Sequence, residues 1–150
     1  MSKAILLDTG PLGLATNPKG GQDTFACNLW MRNKVRQGTE IVISEIADYE
    51  VRRELIRANK LRGLRKLNEF KIEFSYLPLS ATTMLFAAEL WAHSRQRGFP
   101  TASDDALDAD VILAAQALLL EQAGHQVIVA STNVKHLKNF VTALNWSDIT

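Results

Sequence analysis

Short apolar segments alternate with longer amphipathic ones along the whole chain, and this alternation constrains the fold more than any other feature. Runs of β-branched and other apolar residues, bounded by turn or capping residues, predict strands at Lys3–Leu7, Glu40–Ile43, Ile72–Leu77 and Gln126–Ala130. Capping residues and helical periodicity predict helices from Asp23 or Thr24 to about Gln37, Ser44 to about Ala58, Ser80 to about Arg97, and Asp104 to about Ala123.

The last of these helices is apolar on nearly every side, ends before Gly124, and follows a chain stop at Gly98-Phe99-Pro100. Strands joined by helices of this length form right-handed crossovers and a mainly parallel sheet that is covered on both faces. We therefore predict an α/β fold, a three-layer α/β/α sandwich. The length of 150 residues fits a single domain spanning 1–150.

Composition excludes several classes of protein. The longest apolar run, Val111 to Leu120, contains Gln116 and is too short to cross a membrane, and the N-terminus lacks a secretory signal. We expect a soluble, cytoplasmic protein. The single cysteine, Cys27, rules out an internal disulfide and a cysteine-rich zinc site, so we expect it in the core.

Polar residues directly follow three of the predicted strands. Asp8 follows the first, Ser44 the second, and Ser131-Thr132-Asn133 the last. The carboxyl ends of parallel strands share one edge of the sheet, where open α/β sheets place their ligand sites. We expect a functional site at this edge, although an isolated Asp in such a position also caps turns and helices.

Acidic residues on two helices are candidates to join Asp8. On the helix that Ser44 caps, Glu45 and Asp48 are explained by the helix dipole, whereas Glu50 with Glu54 at i,i+4 is repulsive unless a cation offsets it. On the last helix Asp108 and Asp110 flank an apolar stripe. Periodicity alone does not choose between those two.

Three carboxylates without matching bases repel one another and raise their own pKa values. A hard divalent cation relieves this repulsion, and oxygen ligands without His or Cys favour Mg²⁺ or Mn²⁺. Such an ion activates water and polarises a phosphoryl oxygen. Phosphodiester hydrolysis is the chemistry that this set of residues predicts.

Four motifs occur in the order and rough spacing of one nuclease family. They are Ile5-Leu6-Leu7-Asp8-Thr9-Gly10-Pro11-Leu12, Val42-Ile43-Ser44 followed by Tyr49-Glu50, Asp110-Val111-Ile112-Leu113-Ala114-Ala115-Gln116-Ala117, and Ser131-Thr132-Asn133-Val134-Lys135-His136-Leu137. Over almost its whole length the chain resembles PIN-domain nucleases of the bacterial toxin-like (VapC-type) family.

The resemblance implies a Rossmann-like fold, Mg²⁺- or Mn²⁺-dependent endoribonuclease activity, homodimers and an antitoxin partner. By position, Asp8, Glu50 and Asp110 match the metal-binding acids of the family, which selects Asp110 over Asp108. Thr9 matches the usual hydroxyl beside the first Asp.

The chain departs from the family at the fourth acidic position, which is Asn133. An amide oxygen still binds a metal or orients water, but the ligands then carry one negative charge less, which weakens a second ion. Asp108 is a candidate to supply that charge through water, and Ser131 or Thr132 to contribute a hydroxyl.

Basic residues are concentrated between Arg52 and Lys66, with Glu54 as the single acid among them. Arg52, Arg53 and Arg57 are our candidates to hold an RNA backbone, and the same cluster suits the acidic tail of an inhibitor protein. A simply solvated helical face is the alternative.

Two other functions remain. A PIN-like scaffold that binds protein or nucleic acid without cutting it is favoured by Asn133, and a structure-specific DNA nuclease shares the metal chemistry. The surface around Phe86, Leu90 and Trp91 is either a dimer face or part of the core.

Overall fold

The computed structural model describes residues 2–98 and 104–150, and only the backbone of 104–107. It contains a sheet of five strands in the order β3-β2-β1-β4-β5, and all neighbouring strands are parallel. The strands are β1 (Lys3–Leu7), β2 (Glu40–Ser44), β3 (Ser75–Leu77), β4 (Gln126–Ser131) and β5 (Ala143–Asn145). The predicted α/β class is confirmed.

Helices fill the connections between the strands. They are α1 (Thr9–Ala15), α2 (Gln22–Arg36), α3 (Glu45–Arg57), α4 (Leu61–Glu73), α5 (Ala81–Gln96) and α6 (Asp104–Gln122), with short 3-10 turns at Leu137–Asn139 and Trp146–Asp148. Among the described residues, none of these helices is long and apolar enough to span a membrane.

Alternate residues of the central strand β1 face opposite sides of the sheet, and each side has its own core. Ile5 and Leu7 pack with residues of α1 to α4, whereas Ala4 and Leu6 pack with Leu113 and other residues on the α6 side. A third cluster joins α5 to α6. Helices therefore cover both faces, as the three-layer prediction requires.

Two predicted helix starts are correct in residue and mechanism. The hydroxyl of Ser44 accepts a hydrogen bond from the Ala47 N–H at 3.2 Å, and the hydroxyl of Ser80 accepts one from the Thr83 N–H at 3.1 Å. These bonds satisfy N–H groups that have no partner inside the helix. The predicted capping role of Asp104 and the stop at Phe99-Pro100 fall outside the described side chains and residues, respectively.

The structure corrects two boundaries and adds two elements that the sequence did not predict. The third strand does not begin at Ile72, which lies in α4 and is 89% exposed; it begins at Ser75. We did not predict α4, nor the short edge strand β5. Helix α2 begins at Gln22 rather than after Asp23 or Thr24.

The segment Thr9-Gly10-Pro11, which reads as a turn, is the first turn of α1. Asp8 caps this helix, and Pro11 is tolerated because the first N–H groups of a helix have no internal partner. In so short a segment the same residue types form a turn and begin a capped helix, so the sequence did not distinguish the two.

Cys27 is fully buried in the core, as predicted, and burial raises the pKa of its thiol to about 12. Phe86 and Leu90 pack against the α5–α6 cluster, whereas Trp91 is 37% exposed. The first two therefore belong to the core, and a dimer face on α5 would begin at Trp91 and its exposed neighbours.

Asp48 has a larger role than the helix-dipole interpretation gave it. The residue is 5% exposed, and its carboxylate accepts hydrogen bonds from Arg52 at 3.0 and 3.2 Å and from the Tyr76 hydroxyl at 3.3 Å and lies 3.7 Å from the Lys71 ammonium. These partners come from α3, α4 and β3, so one buried charge ties together elements that the sequence separates. Burial, followed by the negative charge of Asp48, raises the pKa of Tyr76 to about 12.

We expect Asp48→Asn to lower the pKa of Tyr76 from about 12 while leaving it above the usual value of 10, because burial persists. Arg52 and Lys71 reach solvent, so the free energy of unfolding should fall by only about 1–2 kcal/mol. An ultraviolet pH titration and a urea melt measure both effects, with exposed Tyr49 as the reference. An unchanged Tyr76 titration would show that the charge of Asp48 does not reach the phenol.

Candidate active site

Asp8 lies at the carboxyl edge of the sheet, where β1 and β4 end side by side. Its N–H donates to the Ala130 carbonyl at 2.9 Å, which continues the β1–β4 pairing. One carboxylate oxygen, Oδ1, accepts from the Thr9 N–H at 2.8 Å, and the other, Oδ2, accepts from the Ser131 hydroxyl at 2.7 Å. Both oxygens are thus oriented by neighbouring donors.

Glu50 reaches the same edge from α3. The Thr9 hydroxyl donates to its Oε1 atom at 2.7 Å, so Thr9 binds the carboxylate of Asp8 through its N–H and that of Glu50 through its hydroxyl. Arg53 lies 3.7 Å from Oε2, but its side chain is 55% exposed and the interaction is screened by water. Glu50 is therefore held mainly by Thr9.

Asp110 supplies the third carboxylate, from α6. Burial, followed by the negative charges of Asp8 and Glu50, raises its pKa to about 7. Burial also raises the pKa of Asp8, with the Ser131 and Thr9 hydrogen bonds acting in the opposite direction and the charge of Glu50 in the same one. The three acids therefore repel one another electrostatically. Asp108, the alternative on the same helix, is exposed.

The three carboxylates are close enough to influence one another's pKa values but not placed to bind one ion directly. Among the described residues, no group of three or more His, Cys, Asp or Glu side chains is placed so that it could hold a metal ion. Coulombic repulsion extends over several ångströms, whereas metal ligation needs oxygens within about 2.0–2.6 Å of one ion. Because Asp8 and Glu50 are held by Ser131 and Thr9, sharing an ion requires side-chain movement.

The segment after β4 packs directly on the start of α1. A Cβ atom added to Gly10 would overlap the side chain of Thr132, so any other residue here would force Thr132 to move. The N–H of Asn133 donates to the Ser131 hydroxyl at 2.9 Å, and that hydroxyl in turn donates to Asp8. The side chains of Thr132 and Asn133 are exposed at the edge of the site.

Ser131 is the residue whose role the sequence left open and the structure defines. It is completely buried and joins Asn133 to Asp8 through its hydroxyl. The available signal was a small hydroxyl residue directly after a strand that pairs with β1. That signal could not distinguish a bond to Asp8 from a bond to the local backbone.

Each of the three predicted RNA-contacting arginines has an acidic partner. Arg52 donates to Asp48, Arg53 lies beside Glu50 and stacks over Tyr49, and Arg57 pairs with Glu54 at 2.8 Å. Arg52 therefore has a structural role. Arg53 and Arg57 are exposed, and their exposed ion pairs are weak enough to be exchanged for a phosphate.

A cavity of about 350 Å³ opens beside the acids, between α1 and α3. Thr9 and Glu50 line it on the side of the site, with Arg57 and Lys60 further out. A larger cavity, of about 620 Å³, lies between α2 and α4 and shares Thr16, Asn17 and Pro18 with the first. A basic rim thus flanks the acidic edge.

We expect Asp110 to titrate near pH 7 without divalent cations, and Asp110→Asn to stabilise the protein above that pH. The raised pKa means that stability from this group is complete below pH 4 and is lost as pH rises through 7. At pH 8 the variant should melt roughly 2–6 °C higher.

Carbon-13 NMR of the carboxyl groups and melting curves between pH 4 and 8 provide the test. Exposed Asp108→Asn is the control and should melt like the native protein. An Asp110 carboxyl that titrates near pH 4 would contradict the placement of the three acids.

Comparisons with known proteins find similarity in structure and not in sequence. No family model and no curated protein matches the chain. Solved structures do match: a chain of VapBC2 from Rickettsia felis bound to a DNA fragment from their promoter has a TM-score of 0.70 and 20% identity, covering 95% of this chain and 98% of that one.

Two further structures agree with this match. A chain of VapBC-1 from nontypeable Haemophilus influenzae has a TM-score of 0.68 and 16% identity, and one of FitAcB from Neisseria gonorrhoeae has 0.68 and 19%. Each covers 97% of this chain and 99% of its own. At such identities the shared property is the fold. The chain therefore has the PIN-like fold of these VapC-type neighbours, and the resemblance drawn from its motifs is confirmed at that level.

Proposed function

We propose that this protein is a metal-dependent endoribonuclease that hydrolyses RNA phosphodiester bonds as the toxin of a toxin–antitoxin pair. The proposal depends above all on Asp110, a half-buried acid whose pKa is raised to about 7 by burial and by Asp8 and Glu50. Three acids, from the residue after β1, from α3 and from α6, converge with no buried base among their described contacts. Such an arrangement is costly unless a cation or protons offset it.

The chemistry of these residues fits Mg²⁺ or Mn²⁺. Asp8, Glu50 and Asp110 would hold the ion through oxygen, and the exposed amide of Asn133 would orient it or a water. When bound, the ion supplies an activated water and stabilises charge on the phosphoryl oxygens. The chain contributes the orientation: Ser131 and Thr9 fix the Asp8 carboxylate, and Thr9 fixes Glu50.

Charge separation around the site suits a polyanionic substrate. Arg53 and Arg57 lie on α3 on the same side as Glu50, and Lys60, Arg62 and Lys66 continue the basic surface along α4. Phosphates that bind these side chains release counterions, which makes binding dependent on salt. We assign this surface to the RNA backbone or to the acidic segment of an antitoxin.

A homodimer completes the proposal. Leu85 is 71% exposed, Met84 is 45% exposed and Trp91 is 37% exposed on α5. Apolar side chains grouped on one helix are suited to burial against a second copy.

Asn133 favours a second candidate function, a PIN-like scaffold that binds nucleic acid or protein without cutting it. With an amide at this position the site carries three acidic groups instead of four. A cation would then be held more weakly, and binding through the basic surface would persist without hydrolysis.

Cleavage of a mixed RNA pool separates these two functions. With Mg²⁺ or Mn²⁺ the native protein should cut, EDTA should abolish cutting, and Asp8→Asn or Asp110→Asn should lower the rate at least about 100-fold, as loss of a principal metal ligand implies. Asp108→Asn is the matched control on the same helix, and its rate should remain within a few-fold of native.

Each alternative outcome has a definite meaning. Cutting that survives both Asp8→Asn and Asp110→Asn would refute the site, because the cluster would then be dispensable. RNA binding without cutting across many RNAs and both metals would favour the scaffold.

Asn133→Asp should increase Mn²⁺ affinity several-fold, because a fourth carboxylate adds a negative charge at the edge of the site. Isothermal titration measures this affinity directly, independently of RNA cleavage. Asn139→Asp, on an exposed residue after the same strand, is the control and should leave affinity unchanged. Equal affinities for Asn133→Asp and the native protein would place residue 133 outside the ligand set.

A further inference from the structure

Lys34 is a buried lysine that the proposed nuclease chemistry does not use. It lies in the last turn of α2, and its exposed fraction is only 6%. Lysine is rarely buried to this extent without an anionic partner, because removing an ammonium from water is costly. Its surroundings should therefore contain a compensating charge.

No acidic group of the described residues lies within 4.0 Å of the ammonium to provide that charge. The Lys34 ammonium donates to the neutral Oε1 atom of Gln37 at 3.3 Å, and the ion pairs found within 4.0 Å in the described part of the chain do not include Lys34. An ammonium has three N–H donors. One neutral acceptor satisfies one of them.

Capping of α2 does not explain the ammonium. The carbonyls of Asn33, Lys34 and Val35 already accept hydrogen bonds from the backbone N–H groups of Gln37, Thr39 and Gly38. A lysine near a helix C-terminus stabilises carbonyls that lack partners, and here the backbone serves them. The position of Lys34 points to something outside the helix.

A cavity of about 400 Å³ adjoins Lys34 at the amino edge of the sheet. It is lined from the amino ends of β1 and β4 by Ser2, Lys3 and Gln126, from the turn after α2 by Gly38 and Thr39, and from the end of the sequence by Ile149 and Thr150. It thus contains a second cation, Lys3, together with hydroxyl and amide donors. Its volume accommodates a phosphate or a small carboxylate with bridging water.

We propose that this cavity is a binding site for a compact oxyanion, a phosphate or a carboxylate, with Lys34 as the buried cation and Lys3 as the exposed one. A five-residue strand spans about 17 Å, so this site lies across the sheet from Asp8. The proposal does not depend on the nuclease function. Loss of RNA cleavage leaves it intact, and loss of anion binding leaves the nuclease proposal intact.

Titration with inorganic phosphate and with acetate, at constant ionic strength and with chloride as reference, tests the site. Backbone amide NMR signals of Lys34, Gly38 and Thr39 should shift and saturate in the native protein. Lys34→Met keeps the length of the apolar stem and should abolish saturation. Lys3→Met should weaken affinity roughly two- to five-fold, as removal of one exposed charge implies.

Lys19→Met, on an exposed lysine that does not line the cavity, is the control and should bind like the native protein. Saturation by phosphate alone would assign a phosphate group, and saturation by acetate a carboxylate. If phosphate and acetate produce only shifts that increase linearly in the native protein, as chloride does, that result alone would overturn the proposal. Saturation that survives in folded Lys34→Met would also overturn it; should that variant not fold, unchanged affinity in Lys3→Met would do so.

Discussion

The parallel pairing of β1 between β2 and β4 is the interaction on which the rest of the structure depends. It aligns Leu7 with Ile43 and Ala130, so the three strands end within one residue of each other. The next residue on each strand is polar. Asp8 and Ser44 each cap a helix, and the Ser131 hydroxyl donates to Asp8. Strand register thus determines which polar side chains meet.

The buried acid Asp48 and the half-buried acid Asp110 show opposite solutions to the cost of removing charge from water. Asp48 is surrounded by Arg52, Lys71 and Tyr76, which join three elements of the fold. Asp110 faces other acids, and its raised pKa records the unfavourable energy of that arrangement. The first arrangement stabilises the fold. The second stores electrostatic energy at the sheet edge, which is typical of sites that bind a cation or a proton.

Most of the fold was predictable because its signals are local. Alternating apolar strands and the caps Ser44 and Ser80 predicted four of the five strands and four helices, including β3 with an incorrect start at Ile72. Helix α4 was missed because its basic composition reads equally well as a solvated surface. Strand β5 was missed because three residues at a sheet edge carry too little pattern, and their pairing with β4 is a non-local interaction.

By itself, the sequence determined the alternation of strands and helices and the order of the motifs. These follow from periodicity and residue type, which act along the chain. The prediction of Asp8, Glu50 and Asp110 as metal-binding acids came from the family resemblance that those motifs carry. Only the tertiary structure decided that Ser131 binds Asp8 and that Thr9 binds Glu50. It also decided that Asp108 is exposed and that Arg52 pairs with Asp48. Those contacts join residues far apart in sequence, and their geometry depends on how helices pack across the sheet.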